Sequence, residues 1–162
     1  MSYATPHEAI TGWLQSMALN MPDFVWGSGF DTVGSPYYKQ VPEPLLERAN
    51  QVDFFPYMTF DIPDSGVTHT FEFPYNEKFP VDVKVYGLQK HVATCLNPYT
   101  VTGPIYQLDT LRQTPMVLNG TNWQCMQFTR ESWRLDLDET ARAPDQQRVW
   151  IGVARYTFWI TT

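Results

Sequence analysis

Three carboxylates stand close together near the C-terminal end, Asp136, Asp138 and Glu139, inside the stretch "WRLDLDETARAPDQQRVWIGV" at 133–153. Acids at this spacing can hold a hard cation or move protons. An Asp-x-Asp metal site usually belongs to a nucleotide-binding α/β frame with further oxygen ligands nearby. No glycine-rich phosphate loop accompanies it, and "GSGF" at 27–30 lacks the strand-turn-helix setting of one. The same acids alternate with Trp133, Leu135 and Leu137. The competing reading is therefore the wet side of an ordinary strand, running into a polar connection that Glu139 begins.

Other residues with chemical potential are scattered. His7, His69 and His91 are isolated from one another, and His69 alternates with apolar neighbours as a strand residue would. No Ser-His-Asp order, HExxH or Cys-His signature is present. Cys95 and Cys125 are too few for a disulfide framework and too far apart for a CxxC motif. They read as small, reduced, buried residues of a chain made in the cytoplasm. Asn119-Gly120-Thr121 reads as a turn. The expectation is a protein that is not an enzyme and carries no cofactor or metal. An enzyme built on Asp136 and Asp138 would need a metal and a third ligand that the pattern does not name.

Arg130, Arg134, Arg142, Arg148 and Arg155 gather in the last third, among aromatics. Either they form a solvated strand face or they pair with carboxylates on another chain, a role suited to the planar guanidinium. The segment from Asp138 to Arg148 carries both signs, so it can pair with its own copy on a neighbouring subunit. In that view the acids are one half of a contact.

The whole chain sets limits on these readings. At 162 residues a single domain spanning 1–162 is expected, long enough to bury a core without metals or disulfides. Hydrophobic residues are 43% and charged residues 17%, which points to a folded chain rather than a disordered one. The net charge of -6 argues against sequence-specific nucleic-acid binding and against an anionic membrane surface. The opening "MSYATPHEAITGW" lacks the basic and apolar regions of a signal peptide. No apolar run approaches the ~20 residues of a membrane-spanning helix.

The elements that must position these residues can be read in order. Thr5-Pro6-His7-Glu8 is a capping box, and Ile10, Trp13, Leu14, Met17 and Ala18 then share one helical face, ending near Leu19. Residues 27–44 read as a long loop, followed by a helical turn at "PLLERAN". Its Phe30, Tyr37 and Tyr38 would be costly to leave bare and suggest a partner. "VDFFPYMTFDI" reads as a strand covered on both faces, with Pro56 hinting at an edge. A strand with Val67, His69, Phe71 and Phe73 on one face follows, then one with Phe79, Val81, Val83 and Val85 inside and Asp82, Lys84 and Tyr86 outside. Together these three runs predict an antiparallel meander. "GPIYQLDTLRQ" suits a short helix through Ile105, Leu108 and Leu111.

The last third predicts a long hairpin. Met126 and Phe128 are out of phase with Trp133, Leu135 and Leu137; on the return, Val149, Ile151 and Val153 are out of phase with Tyr156, Phe158 and Ile160. One register sets Leu137 opposite Val149, Leu135 opposite Ile151, Trp133 opposite Val153, Phe128 opposite Phe158 and Met126 opposite Ile160. Both strands then switch buried face at the same level, and a bulge or strong twist would give the same switch. A hairpin that changes face needs two covers, one of which can be a neighbouring chain. The fold class expected is α+β: an antiparallel twisted sheet, an N-terminal amphipathic helix packed on it, and a long C-terminal β-hairpin.

This order of elements, carried by "HEAITGWLQSMALNM", "THTFEFPYNEKFPVDVKVYG" and "RVWIGVARYTFWI", resembles the tail terminator (tail-completion) proteins of long-tailed bacteriophages. The resemblance is one of layout and size across most of the chain. It implies a hexameric ring that caps the tail tube, stops its polymerisation and meets the head connector. The partners implied are further copies of the chain, the tail tube protein and the head-connector protein, within the neck of the virion. One departure is "KHVATCLNPYTVTG", poorly helical where the family has a marked helix after its strands. That keeps a head-tail adaptor or a baseplate component as alternatives. The subunit-interface residues expected are Phe30, Tyr37, Tyr38, Asp136, Asp138, Arg142, Arg148, Tyr156 and Phe158. A reading from another class is a carbohydrate- or ligand-binding β-rich module, with Trp123, Trp133, Trp150 or Trp159 stacking on sugar rings.

Overall fold

The computed structural model describes residues 5–16, 37–38, 57–63, 76–111, 116–117, 123–142 and 148–161. In chain order these hold α1 (Pro6–Ser16), β1 (Tyr37–Tyr38), β2 (Tyr57–Asp61), β3 (Asn76–Gly87), α2 (Gln89–Leu96), α3 (Pro104–Leu111), β4 (Met116–Val117), β5 (Gln124–Arg142) and β6 (Arg148–Thr161). The strands form one six-stranded sheet in the order β1-β2-β3-β6-β5-β4. Every pairing is antiparallel except β1 with β2, which is parallel. The α+β class, the helix on the sheet and the long closing hairpin are all present.

The capping box forms as the sequence dictates. Glu8 N–H donates to Thr5 Oγ1 at 3.2 Å, and Thr5 N–H returns a bond to Glu8 Oε2 at 2.7 Å. The Thr5 backbone N–H, and then its hydroxyl, hold the Glu8 carboxyl below its usual range. A carboxyl lowered on folding stabilises above its unfolded pKa and loses that contribution as pH falls through the folded value. Thr5→Ala should cost about 1 kcal/mol in urea denaturation. Glu8→Gln should show a deficit at neutral pH that vanishes in acid; a deficit independent of pH would contradict the cap.

From this cap α1 runs with Ala9, Ile10, Trp13 and Leu14 buried. The Trp13 ring meets Phe128 at 5.8 Å and Phe158 edge-on at 5.7 Å, which seats the helix on the sheet. Phe128 and Phe158 stack at 5.1 Å, and Tyr156 lies against Phe128 at 5.8 Å. These rings occupy the helix-side face with Met58, Phe60, Val81, Val83, Val85 and Ile160. The alternation expected for β3 is met, with Val81, Val83 and Val85 buried and Asp82, Lys84 and Tyr86 half-buried on the other side.

Three expectations are corrected. Strand β2 pairs directly with β3, Phe60 opposite Val83, where the meander sets another run between them; that run, 67–73, lies outside the described residues. Tyr37 and Tyr38 are not loop but a two-residue strand opposite Thr59 and Phe60. "KHVATCL" is helical: α2 buries Val92, Cys95 and Leu96 at helical spacing, although Leu88 supplies no side-chain cap. Turns follow it: the Asn97 side-chain Oδ1 accepts from Tyr99 N–H at 2.9 Å, and Gly103 N–H donates to Thr100 O at 2.8 Å. The helix expected at Ile105 and Leu108 then follows as α3. Residues 17–36, "PLLERAN" and Asn119-Gly120-Thr121 lie outside the described residues.

Helix α2 sits so close to the sheet that only glycine fits beneath it. A Cβ on Gly152 would lie 2.6 Å from Leu96 Cδ1 and 2.7 Å from Val92 Cγ1. Both neighbours are themselves buried, so they cannot swing aside freely. Gly152→Ala should destabilise by about 1–3 kcal/mol. An unchanged denaturation midpoint would mean that α2 is not held this tightly.

Candidate functional site

The candidate site is the β5–β6 hairpin, where the acids and arginines singled out in the sequence meet the exposed aromatics. Its inner half follows the expected register, with Phe128 opposite Phe158. Bulges between Cys125 and Gln127 and between Arg130 and Ser132 then change the rest. Ile160 faces Cys125 instead of Met126, and Leu137 faces Trp150, Leu135 Gly152 and Trp133 Ala154. The extra residue at Glu131 returns Trp133, Leu135 and Leu137 to the face that Phe128 occupies. So β5 does not change face; its phase shift is the bulge.

Strand β6 does not change face either: its helix side stays buried from Gly152 to Ile160, and the outer face is buried in addition at Val153. It pairs with β3 without interruption from Asn76 opposite Thr161 to Gly87 opposite Trp150. Tyr156, Phe158 and Ile160 are buried on the helix side, whereas Val153 is buried on the outer face. Val153 is flanked in register by Lys84 and Arg134, whose aliphatic stems can cover it. On the helix side the same stretch offers only Gly152 and Ala154, where α2 approaches.

Of the three acids, Asp136 is held in a local pair. Asp136 accepts Arg134 Nε at 2.7 Å, with both side chains more than half exposed. Such a pair contributes little to stability, about 0–1 kcal/mol. Strand β5 continues to Arg142, so Glu139 lies within the strand and does not begin the connection. Asp138 and Arg142 hold backbone places in β5, and Arg142 stands opposite the exposed Arg148. Among the described residues no group of three or more His, Cys, Asp or Glu is arranged to hold a metal ion.

Two more of these arginines, Arg155 and Arg130, find carboxylates within the chain. Arg155 makes a two-point contact with Asp82 on β3, Nε to Oδ1 at 2.7 Å and Nη2 to Oδ2 at 2.8 Å. Those hydrogen bonds, and then the Asp82 charge, hold its guanidinium above the usual value. Arg130 donates from Nε and Nη2 to Asp109 Oδ2 on α3 at 3.2 and 3.0 Å; Oδ1 accepts from Tyr156 OH at 3.0 Å and from the same Arg130 Nε at 3.3 Å. The sequence marked Arg130 and Tyr156 but not Asp109, because nothing in "GPIYQLDTLRQ" tells which strand the helix will meet.

Two expected interface residues have no free surface. Tyr156 and Phe158 are each 1% exposed, in the chain's own core. They are large apolar residues in the phase that the helices cover. Asp136 and Arg148 are exposed. Phe30 lies outside the described residues, and Tyr37 and Tyr38 are placed only by their backbone pairing. Of the tryptophans, Trp123 is buried, whereas Trp133 is 56% and Trp159 41% exposed. Trp159 stands on the outer face with Lys78 Nζ 4.5 Å from its ring centroid. Cys95 and Cys125 are free and buried; burial pushes the Cys125 thiol up to about 11, against the smaller effect of a backbone hydrogen bond at Gln127. That is the wrong direction for a nucleophile. His69 lies outside the described residues.

Among the described residues no helix is long and apolar enough to cross a membrane. Comparison with protein-family models and with curated proteins gave no match.

Proposed function

We propose that this chain is a structural protein of a phage particle, forming a ring at the head-proximal end of the tail. The ring would end polymerisation of the tube and join the tail to the head connector. The observation that carries this reading is the order of elements: an N-terminal helix on an antiparallel sheet, a helix directly after β3, and a closing hairpin of 19- and 14-residue strands. Helix α2 stands where the sequence had departed from the tail terminator layout.

The experiment is to add the purified chain to growing tail tubes. Elongation should stop, and electron micrographs should show a ring at one end. Continued growth with bare ends would sink the reading. A ring at the baseplate end would move the chain to that part of the particle.

Exposed Trp159 favours a second reading, a sugar-binding module, since an outward strand-face tryptophan is a stacking platform. One face of that ring is already taken by Lys78. A glycan array that returns binding lost in Trp159→Ala would favour this module over the ring.

A further inference from the structure

We propose that residues 132–137 of β5 form a two-fold contact with the same segment of a second copy, joining two sheets strand to strand. The inference does not rest on the ring reading, since a ring closes through heterologous contacts and this contact is isologous.

The outer side of β5 is covered by β4 only at Gln124 and Cys125. Beyond them no strand among the described residues lies on that side. A free edge presents backbone donors and acceptors in the spacing another strand needs. From Ser132 to Leu137 the pairing to β6 is uninterrupted, so the segment is regular. The bulge between Arg130 and Ser132 ends it on one side. At ~3.3 Å per residue it is roughly 20 Å long, the length of an ordinary strand.

The occupant is specified by the side chains. Place two such segments antiparallel with Leu135 opposite Leu135 of the partner subunit. Trp133 then stands opposite the partner's Leu137, on the face that also carries Leu135. On the other face Arg134 stands opposite the partner's Asp136, and Asp136 opposite the partner's Arg134. Every apolar residue meets an apolar one, and every charge meets its opposite. The Arg134–Asp136 pair within each chain, at 2.7 Å, becomes part of a four-charge row of alternating sign. A slip of one residue sets apolar residues against charged ones. A register two positions away, in either direction, sets Arg134 against the partner's Arg134 or Asp136 against the partner's Asp136. Only the register centred on Leu135 satisfies both faces, and it covers Trp133, which is 56% exposed in the single chain. The contact is closed on itself, because both copies give it the same segment of β5.

The test uses the whole chain. Directly opposed residues of antiparallel strands have Cα atoms about 4.5–5.5 Å apart, within disulfide range. Leu135→Cys should therefore give a covalent dimer on mild oxidation. Arg134→Cys, on the other face and opposite Asp136, should not; the native cysteines are buried and do not compete. In sedimentation velocity across a concentration series, Arg134→Asp should raise the dimer dissociation constant about tenfold or more. The double change Arg134→Asp with Asp136→Arg should restore it. A chain that stays monomeric at every concentration and fails to cross-link through Leu135→Cys would overturn the proposal. So would a dimer indifferent to Arg134→Asp, because it would use another surface.

Discussion

Phe158→Asp should leave no soluble folded chain, whereas Asp136→Asn should fold and melt like the parent. Phe158 is buried between Trp13 and Phe128, with ring centroids at 5.7 and 5.1 Å, and stands in register between Phe79 and Phe128. Truncating a buried phenylalanine costs about 3–5 kcal/mol. An aspartate adds a carboxylate with no partner among rings and aliphatic side chains, which costs several kcal/mol more or forces its protonation. The total rivals the whole stability of a small domain, about 5–15 kcal/mol. The same site also seats α1, so its loss frees the helix and exposes the helix-side face of β3, β5 and β6. Asp136, by contrast, is half-exposed and pairs only with Arg134 two residues away. Its neutralisation should cost less than about 1 kcal/mol. Far-ultraviolet circular dichroism and solubility decide the first variant, and a urea titration the second. If Asp136→Asn alone abolished function in a well-folded chain, the structural role given to these acids would be wrong.

That contrast also marks what the sequence made legible. Strong local signals came through: the Thr5–Glu8 cap, the apolar face of α1, the alternation of β3 and the hairpin as an element. Phe128 opposite Phe158 was legible because large apolar residues on facing strands define a shared face. The outer register was not. A bulge carries no residue signature when it falls at Glu131, so its phase shift looked like a change of face. In β6 the apparent shift marks burial on both faces: α2 covers the small Gly152 and Ala154 on the helix side, while the larger Val153 is buried on the other. Helix α2 was missed although Val92, Cys95 and Leu96 hold helical spacing, because it is short, uncapped by Leu88 and followed by Asn97-Pro98. The candidate site suffered most. The sequence grouped arginines by nearness along the chain, whereas Arg155 and Arg130 found Asp82 and Asp109 on elements far away in sequence.

The Asp109 carboxylate is the strongest case of such a long-range anchor, and Asp109→Ala should cost about 2–4 kcal/mol. Oδ2 accepts from Arg130 Nε and Nη2, and Oδ1 accepts from Tyr156 OH and shares the Arg130 Nε proton. The Arg130 and Asp109 side chains retain only 19% and 14% exposure. Breaking a buried pair by removing one partner costs about 3–5 kcal/mol, and the residual exposure here lowers that range. The alanine leaves the Arg130 guanidinium half-desolvated without a counter-charge and Tyr156 OH without this acceptor. Asp109→Asn keeps an acceptor for the hydroxyl and should cost less. Tyr156→Phe removes one hydrogen bond, about 1 kcal/mol. Since both changes act on one network, the double variant should fall short of the sum by about 0.5–1 kcal/mol. Urea titrations of the four proteins give the cycle. Sodium chloride at high concentration should leave the Asp109→Ala effect largely in place, because a pair this buried is weakly screened. The functional consequence is mechanical: Asp109 ties α3 to β5 and β6 just before the Glu131 bulge, at the root of the segment that carries Trp133 and Leu135. Loosening that root should weaken self-association through residues 132–137 even in variants that remain folded. Additive energies in the cycle, or a fully salt-sensitive loss, would show that the three side chains do not act as one anchor.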